Sequence, residues 1–331
     1  MQKITIKELA KLLDVNPSTI SRALHDHPDI SQVLKERIKK IAKDFNFVPN
    51  HAAVNLRNKK SKLIGLILPE ISMLFVPSII EGVSNYLNKH NYNLLVLSSY
   101  ENYEKEIENI DVCIKSNVDG ILISLTNQTK NVDHLDRLNE FEIPVVIFDK
   151  TVEQVQFNEV KINDVEASKT CVDYLVKCGC KKIVGIFGNK NLSITKERAE
   201  GFQSSLNSYG LIPYEIAYAE NSEQAFQQCK KLLSKTNDID GIMMMSDEIM
   251  IGVNAALNQM SKEEKLSKIK LVAISDGFLP TFMSPPIPYV HHSGKDLGKM
   301  SAELLIGLVE ATIPVTAVKQ LNLGTFLVDE F

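Results

Sequence analysis

Two groups of residues in this 331-residue chain have the types and spacing to do recognition chemistry. The first is Pro17-Ser18-Thr19-Ile20-Ser21-Arg22. If this run is helical and Ile20 and Ala23 turn inward, then Pro17, Ser18, Ser21 and Arg22 face out together. A guanidinium fork and hydroxyls on one helix face suit base edges in a DNA major groove, where Arg bonds both acceptors of guanine. Pro17 has no side-chain donor, so its contact is apolar, for instance with a thymine methyl. The second group directly follows apolar runs: Glu70, Ser72 and Phe75; Ser124; Asp149; Ser246 and Asp247; Asp276. In open parallel sheets, ligands bind outside the carboxyl ends of strands. A carboxylate there accepts from hydroxyl or N–H donors of a ligand, and an aromatic ring such as Phe75 covers an apolar ligand face.

The elements that must position the first group are a helix-turn-helix. Ile6, Leu9, Ala10 and Leu13 recur at helical spacing. Thr5 is placed to cap this helix, with Glu8 completing a capping box, and Asn16 to cap a second helix that opens with Pro17 and runs to Leu24. Ser31 opens a third helix to Phe45, with an apolar face of Ile30, Val33, Leu34, Ile38, Ile41, Ala42 and Phe45. Lys35, Arg37, Lys39, Lys40 and Lys43 read as its solvated surface. Residues 50–57, capped by Asn50 and apolar only at Ala52, Ala53, Val54 and Leu56, form at best a marginal isolated helix. Residues 1–60 hold nine Lys and three Arg against four Asp and two Glu, net +6, within a chain of net −4. A basic head on an acidic body suits a polyanion at one end only.

The second group sits in a different pattern. Apolar runs at Leu63–Leu68, Leu94–Leu97, Ile121–Ser124, Val145–Phe148, Ile183–Phe187, Ile242–Met245 and Leu271–Ile274 are nearly continuous, as in strands covered on both faces. Between them lie helical patterns at Val76–His90, Glu104–Asn117, Val165–Lys177, Ile194–Tyr209, Gln224–Leu233 and Glu248–Met260. The alternation predicts an α/β core of two parallel sheets, with a seam near Thr151–Asn163. The sequence contains no dinucleotide-binding, P-loop or nucleophile-elbow motif, so no enzyme and no cofactor is expected. Five cysteines are expected to be reduced, and Cys178-Gly179-Cys180 lacks the spacing and nearby His of a zinc site, so no metal is expected either. The N-terminus lacks a signal peptide's apolar core and no apolar run reaches the roughly 20 residues of a membrane span, so a cytoplasmic protein is expected.

Two motifs carry a family resemblance. Ser18-Thr19-Ile20-Ser21-Arg22-Ala23-Leu24 and Phe47-Val48-Pro49-Asn50-His51-Ala52-Ala53-Val54-Asn55-Leu56-Arg57 resemble the recognition helix and hinge of the LacI family of bacterial transcription regulators. The resemblance implies a small all-α DNA-binding head on a periplasmic-binding-protein-like core whose chain crosses between subdomains three times. The implied division is 1–48 for the head and 49–61 for the hinge, then 62–161 with 290–320 and 162–289 with 321–331 for the two core subdomains. It implies DNA contacts from Thr5, Asn16, Pro17, Ser18, Thr19, Ser21 and Arg22, and from a hinge that folds on DNA through Asn50, Ala53 and the minor-groove wedge Leu56. Arg198, opening an R-x-x-G-F run, joins Asp149 and Asp276 as hydroxyl-binding positions of sugar-responsive members. Ser72, Phe75, Ser124, Ser246 and His292 complete the implied effector set, His292 standing where the family often has Gln. A homodimer on a near-palindromic operator is implied, with no terminal leucine heptads to build a tetramer. The expected effector is a sugar; the alternatives are a sugar phosphate, a nucleobase or a protein partner. His291 or His292 suits an anion, but a structural or crossing-strand role is the expectation for them.

Overall fold

The computed structural model describes residues 4–24, 26–45, 47, 60–152, 156–236, 238–260, 268–314 and 318–331, and the chain forms two compact units, Met1–Ser61 and Lys62–Phe331. The hinge positions Asn50, Ala53 and Leu56 lie outside the described residues.

In the first unit, α1 (Ile6–Leu13), α2 (Pro17–Leu24) and α3 (Gln32–Asp44) follow one another closely. The capping box forms: the Thr5 hydroxyl accepts from the Glu8 N–H at 3.3 Å, and Glu8 Oε2 accepts from the Thr5 N–H at 2.7 Å. α1 ends where Asp14 turns left-handed at φ 53°, which lets Val15 donate to the Ala10 carbonyl at 3.0 Å. Asn16 Oδ1 then accepts from the Ser18 N–H at 3.0 Å, satisfying one of the donors left open at the start of α2. Leu9, Ala10, Leu13, Ile20, Ala23, Ile38 and Ala42 make the core. Most of the expected face of the third helix holds, with Ile38 and Ala42 buried and Ile30, Leu34 and Ile41 packed against the core, but Val33 and Phe45 turn outward. Val33 is 79% exposed, whereas Lys35 is buried and its ammonium donates to the Asp26 carbonyl at 3.1 Å. An aliphatic stem with a satisfied head fills a core position as well as a short apolar side chain does.

The second unit holds two six-stranded sheets. The first runs, in spatial order, β11 (Gln320–Leu323), β5 (Asn158–Ile162), β4 (Val145–Phe148), β3 (Gly120–Ile123), β1 (Leu63–Leu68) and β2 (Asn93–Ser98), all parallel. It carries α4 (Val76–Lys89), α5 (Tyr103–Lys115), a 3-10 helix at Asp133–Phe141 and α10 (Gly294–Val309). The second runs β12 (Phe326–Val328), β10 (Tyr289–His291), β9 (Lys270–Ser275), β8 (Gly241–Met244), β6 (Ile183–Phe187) and β7 (Glu215–Tyr218), parallel except where β12 meets β10. Its helices are α6 (Asp164–Lys177), α7 (Ser193–Ser208), α8 (Ser222–Lys235) and α9 (Asp247–Met260).

The chain passes between the sheets after β5, after β10 and between β11 and β12. Two crossings fall a few residues from their expected places. Val290 and His291 pair with Ile274 and Ser275 in the second sheet rather than opening the return to the first. Leu321–Leu323 pair with Val160–Ile162 in the first sheet rather than beginning the tail of the second. Strand pairing sets both points, because a short strand stays with the ladder that satisfies its backbone.

Candidate functional site

The carboxyl ends of both sheets open on a shared cleft in the second unit, a cavity of about 620 Å³. From the first lobe, the loop after β1 supplies Glu70, Ser72 and Phe75, and the residues after β4 supply Asp149 and Lys150. From the second, Ser246 and Asp247 follow β8, Asp276 follows β9 and His292 follows β10. Arg198 reaches the cleft from α7. Seven of the eight expected effector positions are thus brought together from segments far apart in sequence.

Ser124 is the exception. It lies buried at the end of β3 and is absent from the cavity wall, which Asn127 from the same loop reaches instead. The strand ends one residue before Ser124, so the loop needs a few more residues to arrive at the cleft. The pattern reading also passed over Lys150, Glu101 and Glu248, each of which lies within three residues of a strand end or at the start of a helix facing the cleft. Their position next to the strand ends was the available signal.

Arg198 is pinned from within. Only 3% exposed, it donates from Nε to Asp164 Oδ1 at 2.7 Å and from a terminal nitrogen to the Met245 carbonyl. Burial pushes the Asp164 carboxyl up to about 6, against the pull of the Arg198 charge. Two donors of the guanidinium fork are therefore already used, so Arg198 orients the site as much as it offers donors to a ligand.

The carboxylates differ in what they are free to do. Asp149 adopts φ 59°, a left-handed conformation that Asp tolerates, and its N–H donates to the Val160 carbonyl at 3.1 Å. Burial pushes its carboxyl above the usual range, with Lys150 and Arg198 pulling the other way. Asp247 is held by the Ser275 hydroxyl at 2.5 Å, and burial pushes it up to about 6. Asp276 spans the cleft: it accepts from the Ser78 hydroxyl in α4 and from the Gly294 N–H at 2.8 Å. Glu248 does the same on the other side, accepting from the Leu74 N–H at 3.2 Å. Two of Asp276's acceptor positions are thus taken by protein, which makes it a latch between lobes as well as a pocket wall.

Phe75 and His292 face each other across the lobes with ring centroids 4.2 Å apart. His292 is 6% exposed and its Nε2 has no partner among the described residues. Burial first, then the charges of Arg198 and His291, hold the imidazole well below its ordinary range, so at neutral pH it carries no charge. His292 therefore has no charge with which to attract an anion.

The first unit presents the other candidate surface. Ser18 and Arg22 are exposed on α2, with Pro17, Thr19 and Ser21 partly so, while Ile20 and Ala23 are buried behind them. The Ser18 hydroxyl donates to Asn16 at 2.8 Å, and Thr5 donates to its own capping partner Glu8 at 2.8 Å. Both side chains therefore present lone pairs outward rather than free donors.

Residues 5–50 match the profile of bacterial regulatory proteins of the lacI family, and residues 64–311 match the periplasmic binding protein domain. The chain is 26% identical over 309 residues to the HTH-type transcriptional regulator RegA of Clostridium saccharobutylicum, covering 92% of each. It is also 26% identical over 306 residues to a ribose operon repressor of Halalkalibacterium halodurans, covering 92% of this chain and 90% of the relative. In fold it is similar to the lac repressor dimer bound to operator and the anti-inducer ONPF, with a TM-score of 0.87 at 19% identity over 99% of this chain and 98% of that one. Among the described residues no helix is long and apolar enough to cross a membrane.

Proposed function

Because the chain belongs to the LacI family of bacterial regulatory proteins, we propose that it is a sequence-specific transcription repressor whose operator affinity is governed by a sugar bound in the cleft of its second unit. A relative named as a ribose operon repressor, beside relatives named as the regulators PurR, ExuR and MalR, supports control by a small metabolite. The observation that carries the reading is the cleft itself: polar side chains from both lobes converge on one cavity, and Ser78–Asp276 and Leu74–Glu248 already bridge its two sides.

Ligand occupancy then acts as follows. A sugar that bonds Asp149 and Ser246 and stacks on Phe75 favours one degree of lobe closure, and the family architecture transmits that difference through the hinge to a pair of recognition helices. Differential affinity of a few kcal/mol between two states is enough for such control. The protein works as a homodimer on a near-palindromic operator in the cytoplasm, with Arg22 reading guanine. We assign no catalytic role to the cleft carboxylates.

The test has two stages. A duplex library selected on the purified protein yields its preferred operator, and fluorescence anisotropy on that duplex is then repeated with a panel of hexoses, pentoses and their phosphates. Affinity for the selected duplex that no member of the panel changes, together with an absence of calorimetric binding, rejects sugar control. Failure of the selection to enrich any sequence rejects the DNA-reading role.

A further inference from the structure

We propose that the cleft is built for a cationic, hydroxyl-bearing effector, an amino sugar rather than a neutral or phosphorylated one. This inference rests on reading the cleft as the effector site and adds the charge of the ligand to it.

The wall of the cavity carries seven carboxylates against two cations, Lys150 and Arg198. Both cations are already engaged by protein groups, although Arg198 keeps N–H donors unused. Lys150 pairs with Glu101 at 2.6 Å and donates to Asn127 at 3.0 Å. Arg198 is bound to Asp164 at 2.7 Å. His292, the remaining basic side chain, is neutral for the reasons given above. Among the described residues no ion pair reaches Asp149, Asp247, Glu248 or Asp276, and no hydrogen bond reaches the Asp149 carboxylate. The cleft therefore holds more carboxylates than cations, with Lys150 and Arg198 offsetting only part of the negative charge.

Uncompensated carboxylates sharing a partly desolvated space repel one another and raise each other's proton affinity. At Asp149 burial acts most strongly in that direction, Lys150 and Arg198 oppose it, and the charges of Glu248 and Glu101 add to it. A ligand ammonium relieves the repulsion, whereas a phosphate adds to it. The buried Nε2 of His292 is a second pointer to a ligand, because an unpartnered polar atom in a nearly closed wall costs free energy until something bonds it. As a neutral imidazole nitrogen it complements a hydroxyl or an ammonium N–H. The Phe75 ring beside it offers a face on which a cation is also favoured.

Isothermal titration of the full-length protein with glucosamine, galactosamine and mannosamine, each beside its parent hexose and the parent 6-phosphate, tests the charge directly. At least one amine should bind about tenfold or more tightly than its parent, with the phosphate weakest. The advantage should shrink between about 0.05 M and about 0.5 M salt. Asp149→Asn should reduce the amine-to-hexose affinity ratio about tenfold. Glu248→Gln, which keeps an acceptor for the Leu74 N–H, should reduce it in the same direction and serves if Asp149→Asn does not fold. Hexoses or phosphates that bind as tightly as the amines, or a ratio unmoved in the variants, overturn the charge assignment and leave the effector site standing. If no sugar of any charge binds or alters duplex affinity, both fail.

Discussion

Arg22 stands exposed at the end of a helix whose opposite face is fully buried, so its substitution removes a contact without touching the core. Arg22→Ala should cost about 1–3 kcal/mol at one operator position and relax preference there. Competition between the selected duplex and single-base variants reads this out, and a discrimination pattern equal to wild type would contradict the assignment. Asp247 makes a different prediction, about pH. In the unfolded chain its carboxyl ionises near about 4; in the folded protein burial holds the proton to about 6. The folded state therefore binds more protons in that window, so the stabilisation is full below about 4 and is lost as pH rises through about 6. Asp164, pushed up to about 6 as well, adds to the same slope. Asp247→Asn should flatten the stability profile between about pH 4 and 7, by ~3 kcal/mol at most. Urea unfolding at several pH values checks this, and an unchanged slope would count against a buried, proton-retaining Asp247.

At the scale of elements, helix pairs in the core approach closely at glycines. A Cβ at Gly82 in α4 would overlap the Lys295 carbonyl at the start of α10, and one at Gly298 would overlap the Ile79 carbonyl. Gly82→Ala should therefore force the helices apart and destabilise the second unit by about 1–3 kcal/mol. A denaturation midpoint within error of wild type would show that the pair can slide to make room. The elements also differ in how openly the sequence declares them. The seven apolar runs are all strands, with ends within one residue, because strands buried on both faces leave a continuous apolar record. β5, Asn158-Glu159-Val160-Lys161-Ile162, is half polar, and β7, β10, β11 and β12 are three or four residues long. Short or mixed segments leave a record too weak to separate from loop, which is why the region before Asn163 read only as a loosened seam. Val33 shows the complementary failure: an apolar residue at helical spacing that lies exposed while Lys35, two residues on, is buried with its ammonium bonded to the Asp26 carbonyl.

At the scale of the whole molecule, the head and the core are separate compact units with separate cores, so ligand binding should stabilise one and not the other. An effector at a hundred times its Kd adds about 2.7 kcal/mol to the unit that binds it. Scanning calorimetry should accordingly show the second unit's transition moving up with ligand while that of the first stays. Movement of the first transition alone would place the ligand on the head instead.

The amino-acid order alone fixed the helix-turn-helix, its caps, the outward set around Arg22 and the alternating strands and helices, because caps, turn residues and apolar periodicity are local. It also nominated most of the cleft, since the polar residues that end buried strands must gather at one edge of a parallel sheet. Which of these groups remain free was decided by the tertiary structure. Lys150 meets Glu101 across 49 residues and Ser78 meets Asp276 across 198. The first meeting depends on the strand order within one sheet and the second on how the two lobes close on each other, and no periodicity records either. The same packing withdrew Ser124 from the cavity, neutralised His292 and tied up Arg198, so the electrostatic sign of the cleft emerges only when the chain is folded.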